Sequence, residues 1–194
     1  MNDNVAMRFV SSPALLAILA AWIVMGVATV FRRRPTRARE VRRVRGWAWG
    51  FVVQVLSIAA VWTWRRPEPP SLPVSVAAVL LATVSVAVIL AAQHALGRQF
   101  AYQARLVEGH RLITAGPYRW VRNPIYTALF GLALATGLVL SRWLAIPLFA
   151  IFYVAGTVIR IRSEERLLRA QFGQEFEEYA RRVPALIPIP WRKL

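Results

Sequence analysis

No cysteine occurs in the chain, which excludes disulfides, thiolate chemistry, Cys-ligated metals and iron–sulfur clusters. Aspartate is almost missing, with Asp3 the single one, and histidine is limited to His94 and His110. A dedicated metal site is therefore not expected. Negative charge is scarce altogether: 9 acidic residues stand against 25 basic ones, a formal net charge of +16, in 194 residues that are 57% hydrophobic. A soluble domain has little reason to combine such charge with such hydrophobicity, so the two must be segregated along the chain.

They are. A bilayer core ~30 Å thick takes about 20 apolar residues in a helix, with roughly 17 as the lower limit. Pro13–Phe31, Gly46–Trp64 and Val74–Ala92 are uncharged runs of 19 residues each, followed by Ile125–Leu140 with 16 and Trp143–Ile159 with 17. Only Ser141 and Arg142 separate the last two, which predicts a tight helical hairpin. The first run is too long for the apolar core of a signal peptide and ends in Phe31 and three arginines, so it reads as a retained span. The expected fold is an all-α integral membrane protein with about five transmembrane helices and an amphipathic C-terminal helix.

With five spans the polar segments alternate between two sides. Arg32–Arg45, Gln93–Asn123 and Arg160–Leu194 carry 21 basic residues, whereas the N-terminus, Arg65–Pro73 and the Ser141–Arg142 turn carry 4. The positive-inside rule then places the N-terminus outside and the C-terminus in the cytosol, with a bacterial inner (plasma) membrane as the expected setting. The basic loop FRRRPTRAREVRRVR is explained as a topology determinant resting on lipid head groups, and nucleic acid is not an expected partner. No obligate protein partner is implied.

Residues 1–92 read as a three-span membrane region whose polar side chains, Gln54, Ser57, Thr63, Thr83 and Ser85, suit interhelical packing and hydrogen bonding but offer no chemistry. Trp22, Trp47, Trp49, Trp62 and Trp64 read as interfacial anchors or lipid-facing bulk. Residues 93–194 differ. The segment QHALGRQFAYQARLVEGHRLITAGPYRWVRNPIY is too polar to span and too apolar for a solvated tail, so it should lie at the membrane face. Gly109, Gly116 and Pro117 mark turns in it, and Pro124 is suited to the first turn of the fourth span. His94, at the end of the third span, reads as an interfacial residue.

After the fifth span, Ile161, Leu168, Phe172, Phe176, Tyr179 and Val183 recur at near-helical spacing until Pro184, Pro188 and Pro190 end the pattern. One amphipathic helix is predicted there, lying on the membrane or folded back over the polar segment. Glu164 and Glu165 stand about one turn beyond Ile159. Carboxylates so near a bilayer need partners. Arg160, four residues before Glu164, and Arg169, four after Glu165, would satisfy them across the helix surface; a ligand site is the other reading, and spacing alone leaves both open.

Taken together, GHRLITAGPYRWVRNPIY, the two-span hairpin and RIRSEERLLRAQFGQEFEEYARRVPALIP resemble the isoprenylcysteine carboxyl methyltransferase family and related phospholipid methyltransferases. The matching residues are Gly109 and His110; Gly116 and Tyr118; Arg122, Pro124 and Tyr126; Glu164 and Glu165; and Tyr179 with Arg182 to Pro184. The likeness runs from Gly109 to Pro188. It departs at Asn123, where the family usually has histidine; asparagine exchanges hydrogen bonds but takes up no proton.

The resemblance implies S-adenosyl-L-methionine bound between the polar segment, the hairpin and the C-terminal helix, and a lipophilic or prenylated acceptor drawn laterally from the membrane lipids. The cofactor-binding residues it implies are His110, Leu112, Ile113, Gly116, Tyr118, Arg122, Asn123, Pro124, Tyr126, Glu164 and Glu165. A carboxylate acceptor is already ionised and needs no general base, so Arg160 or Arg162 would hold it by charge-assisted hydrogen bonds, and Glu164 and Glu165 would complement the cofactor's positive charge. An amine or thiol acceptor would need a base, with His110 the candidate and Tyr118 or Tyr126 assisting. A sterol-type reductase using a nicotinamide cofactor, and a non-enzymatic membrane protein or small transporter, are the readings from other classes.

Overall fold

In the computed structural model the residues described are 12–32, 40–43, 47–66, 68–97, 105–107 and 112–187, with backbone alone at 32, 40–43, 47 and 105–107. His110, with its neighbour Gly109, lies outside the described residues.

Five apolar helices stand where the uncharged runs predict them: α1 (Pro13–Arg32), α2 (Trp47–Thr63), α3 (Leu72–Leu96), α4 (Pro124–Leu140) and α5 (Ala145–Phe172). α1, α3 and α5 are long and apolar enough to cross a membrane, whereas α2 and α4, 17 residues each, sit at the lower limit. Only 28% of the apolar stretches of α1 and α3 is buried, and 39% of that of α5. In water that much exposed apolar surface would aggregate; in lipid it is the normal outer wall.

Helix pairing follows small residues. α5 packs chiefly along α2, and α4 along α3, with α1 laid against α3 and α4. The hairpin is therefore covalently tight but splayed in packing, each arm having a different main partner. Ile18, Ala82, Ile89, Leu132 and Val139 build the core shared by α1, α3 and α4. A second core joins α2, α4 and α5 through Val61, Ala133, Phe149 and Tyr153, with Phe130 stacked on Phe149 at 5.4 Å. Trp22 and Trp62 are half-buried and pack against these cores, and the Trp22 indole donates to Thr136 Oγ1 at 3.0 Å. Trp49 and Trp64 are exposed, as expected.

The two ends of the bundle are distinct. At one, Arg66 N donates to Leu140 O and Arg142 N to Trp64 O, tying the α2–α3 loop to the hairpin turn. At the other lie the Gly116–Arg119 turn of 3-10 helix, which packs on the end of α3, and a short antiparallel pair of β1 (Glu40–Arg43) with β2 (Arg105–Val107). Among the described residues, the segments around Arg65 and Ser141 thus share one end, and those around Glu40, Arg105 and Gly116 the other.

Beyond the apolar part of α5 the chain departs from expectation. Instead of one continuous amphipathic helix, α5 runs to Phe172, Gly173 breaks it at a left-handed φ of +50°, and α6 (Gln174–Arg182) begins. The break turns α6 back over the polar segment, burying Phe176 and Val183.

Candidate active site

Pro124 opens α4, with Asn123 at the capping position. Asparagine there usually satisfies the helix's free N–H groups with its own side chain; this one does not. Its Nδ2 donates to Ala185 O at 3.1 Å, alongside backbone bonds from Arg122 N to Pro184 O and Asn123 N to Ala185 O, while Thr127 Oγ1 donates to Leu186 O at 2.7 Å. The chain after α6 is thereby strapped along the start of α4.

Arg122 is the hub of this strap. Its guanidinium lies 2.9 Å from Glu165 and also donates to the carbonyls of Ala180 and Val183. Glu165 takes a second arginine, Arg169 at 3.1 Å, and Arg169 reaches Glu177 at 2.8 Å. Arg122 and Glu165, both expected at the cofactor, are thus engaged in joining α4, α5 and α6. The expected Arg169–Glu165 pair is present; the stronger partner, Arg122, lies 43 positions away and had no spacing signal. Tyr179 completes the strap by donating its hydroxyl to Tyr118 O at 2.6 Å. Burial, and secondarily the Glu165 charge, pushes the Tyr179 phenol up to about 12 against the opposing pull of Arg122.

Glu164 turns another way. It accepts a hydrogen bond from the Tyr126 hydroxyl of α4, and Arg160 stands over the Tyr126 ring at 4.8 Å. Thr157, Arg160 and Glu164 fall at intervals of three and four residues and so share one face of α5. Arg160 is 7% exposed and donates to Gln54 Oε1 of α2 at 2.8 Å. Arg162, two residues on and some 200° round the helix, is exposed and is not gathered into this cluster. Arg160, Glu164 and Tyr126 form the compact charged group of the site.

Tyr118 is buried, and the Glu164 charge reaches it; burial first and that charge second raise its phenol above the ordinary range. Gly116, at φ +62°, shapes the turn that presents it. Ile113 is half-buried, as is Leu112. Beside Tyr118 an open groove of about 290 Å³ runs between Leu112, Thr114 and Arg119 on one wall and Glu175, Glu178, Tyr179, Arg182 and Val183 on the other. Both charge signs and an apolar lining share this groove. Among the described residues no group of acidic and histidine side chains is arranged to hold a metal.

Sequence reasoning missed Gln54 and Thr157 as neighbours of Arg160. The available signal was an amide in an otherwise apolar span.

A family model described as phospholipid methyltransferase matches residues 74–175. The protein-S-isoprenylcysteine O-methyltransferase of Schizosaccharomyces pombe is 36% identical over 80 residues, 41% of this chain and 34% of that protein. Protein-S-isoprenylcysteine O-methyltransferase B of Arabidopsis thaliana is 33% identical over 95 residues, 48% of each. The nickel-cobalt-cadmium resistance protein NccN of Alcaligenes xylosoxydans xylosoxydans is 43% identical over 82 residues, 40% of this chain and 36% of that one. The matched stretches thus span between a third and a half of these relatives' lengths. The solved structure of the eukaryotic intramembrane Ras methyltransferase ICMT superposes with a TM-score of 0.62 at 19% identity, covering 94% of this chain and 71% of that one, and it shares the fold. On the strength of a family match running through more than half its length, from α3 to the start of α6, this chain belongs to the phospholipid methyltransferase family.

Proposed function

We propose that the chain is a membrane-embedded S-adenosylmethionine-dependent methyltransferase that methylates the carboxylate of a lipophilic, prenylcysteine-type acceptor. The observation that carries this reading is the Arg160–Glu164–Tyr126 group where α4 begins and the apolar part of α5 ends, linked through Tyr118 and Tyr179 to a groove open to water. An apolar acceptor tail stays in lipid while a polar cofactor enters from the aqueous side, and a site at this level reaches both. Protein-S-isoprenylcysteine O-methylation is also the activity in the names of the fungal and plant relatives.

The groove fits the cofactor by chemistry. Arg119 and Arg182 suit its carboxylate, Glu175 and Glu178 its ammonium, and Leu112 and Val183 an apolar ring face. When bound, S-adenosylmethionine supplies an electrophilic methyl group on a sulfonium centre. Glu164 complements positive charge there, Tyr118 and Tyr126 donate hydrogen bonds, and Gly116 and Pro124 set the backbone that carries them. Arg160 orients the acceptor carboxylate by charge-assisted hydrogen bonds. No group of the chain needs to remove a proton, since a carboxylate is already ionised. The work left to the protein is alignment and exclusion of water. In this reading Arg122, Glu165 and Asn123 act on the cofactor site by fixing the strap that walls it.

The same reading makes residues 1–92 a three-span support and 93–194 the methyltransferase-like region. All five apolar helices span, and the arginine excess sets the N-terminus outside and the site in the cytosol of a plasma membrane.

Calorimetry on the detergent-purified protein tests it. S-adenosylmethionine should bind and NADPH should not, with Glu164→Ala and Tyr126→Ala each weakening binding at least about tenfold. A labelled-methyl assay should transfer label to N-acetyl-S-farnesylcysteine. Binding of NADPH but not S-adenosylmethionine, with both variants matching the parent, would establish the reductase reading instead.

A further inference from the structure

Gln54 is a buried amide, 4% exposed, in the middle of α2, outside the stretch matched by the family model. We infer that Gln54 is a positioning residue for Arg160, so that α2 completes the acceptor site; this rests on the methyltransferase reading above.

Both ends of the Gln54 amide are committed. Nε2 donates to Thr157 Oγ1 at 2.6 Å, and Oε1 accepts from Arg160 Nη1 at 2.8 Å. Arg160 can only donate, so it takes the amide oxygen, and Thr157, 1% exposed, anchors the other end of the amide, which in turn holds the guanidinium. Arg160 is further held between the Tyr126 ring at 4.8 Å and the Phe51 ring at 5.5 Å. A guanidinium on a long, freely rotating stem binds a carboxylate well only if its plane is set beforehand.

The backbone is built to allow this. At the crossing of α2 and α5, a Cβ on Gly50 would meet Gly156 O and Arg160 Cγ at 2.6 Å each, and one on Gly156 would meet Gly50 O at 2.7 Å. Glycine at both positions brings the helices close enough for a side chain of α2 to reach Thr157 and Arg160. The choice of amide also matters. A neutral acceptor orients an N–H without cancelling the positive charge, whereas a carboxylate at position 54 would form an ion pair with Arg160 and compete with an acidic acceptor.

Methyl transfer to N-acetyl-S-farnesylcysteine, with S-adenosylmethionine binding measured in parallel, tests the assignment. Gln54→Leu should raise the acceptor KM about tenfold, with kcat changed less and cofactor Kd within about twofold of the parent. Gln54→Glu should also raise that KM, although it is isosteric and fills the same space. Thr157→Val, a milder change that leaves Arg160 and Gln54 in place, should raise KM severalfold, and Thr157→Ser should restore it. In an Arg160→Ala background Gln54→Leu should add no further loss, since the two act as one unit. If instead the Gln54 and Arg160 losses multiply, if Gln54→Glu behaves as the parent, or if Thr157→Val leaves KM unchanged, the assignment fails while the methyltransferase reading stands. A parent that neither binds S-adenosylmethionine nor labels the acceptor overturns that reading and this assignment with it.

Discussion

Glu164 and Glu165 are neighbours in sequence and opposites in use. Glu165 is enclosed by Arg122 and Arg169 and holds α4, α5 and the strap together. Glu164, about 100° away round the same helix, meets a phenol and the field of Arg160. A carboxylate saturated by two arginines has little capacity left for a ligand. One in contact with a tyrosine and a single buried arginine retains it. On the proposed function, Glu165 builds the site and Glu164 acts in it, within a motif that looks uniform in sequence.

The largest effect should come from breaking the structural side. Arg122→Ala leaves Glu165 10% exposed with a partner lost and removes the donors to Ala180 and Val183. Removing one member of a buried pair costs about 3–5 kcal/mol, which for a chain of this length lowers the melting temperature by about 10 °C. Glu164→Gln should do the reverse: glutamine still accepts from Tyr126, so melting stays within about 2 °C of the parent while kcat/KM for methyl transfer falls about a hundredfold. Thermal melting and the labelled-methyl assay on both variants decide it. If Glu164→Gln melts as early as Arg122→Ala, the two glutamates do not divide the work.

The outline of the fold was legible because lipid imposes a coarse rule: uncharged runs in the sequence became helices within one or two residues at Pro13, Trp47 and Leu140. Pro124 and Gly116 were legible for a similar reason, since proline and glycine carry their backbone preference with them. Pairings were not. That Arg122 joins Arg169 on Glu165, and that Gln54 reaches Thr157 across 103 positions, depends on how five helices settle against each other. No periodicity within one helix records it. The break at Gly173 was hidden by the apolar spacing, which continues across it from Phe172 to Phe176 as though one helix ran through.

A smaller effect sharpens the role of Asn123, the position where histidine is usual in the resemblance. Its side chain donates to Ala185 O, and aspartate, the nearest isostere, can only accept. Asn123→Asp should therefore set two acceptors against each other and cost about 1–3 kcal/mol, read as faster tryptic cleavage after Arg182 in limited proteolysis. Asn123→His keeps a ring N–H and should cost less. Equal protection in all three would remove Asn123 from the strap.

The smallest effect concerns the outer edge of the strap, where Tyr179 donates to Tyr118 O. The raised phenol means that the folded state favours the protonated form, chiefly because the group is buried. Its contribution is fully present below the ordinary tyrosine value of ~10 and is lost as pH rises through about 12. Melting followed between these values should show a decline in the parent that Tyr179→Phe lacks, the variant being slightly less stable throughout the lower range. Arg122 opposes the shift, so in Arg122→Ala the decline should begin at the same pH and continue to a higher one. A decline that persists unchanged in Tyr179→Phe would assign the titration to another group, and Tyr118, also raised by burial, lies directly against it. In that case the strap would be sensed from the site side and not from its outer edge, and the boundary between building and acting residues would move inward by one tyrosine.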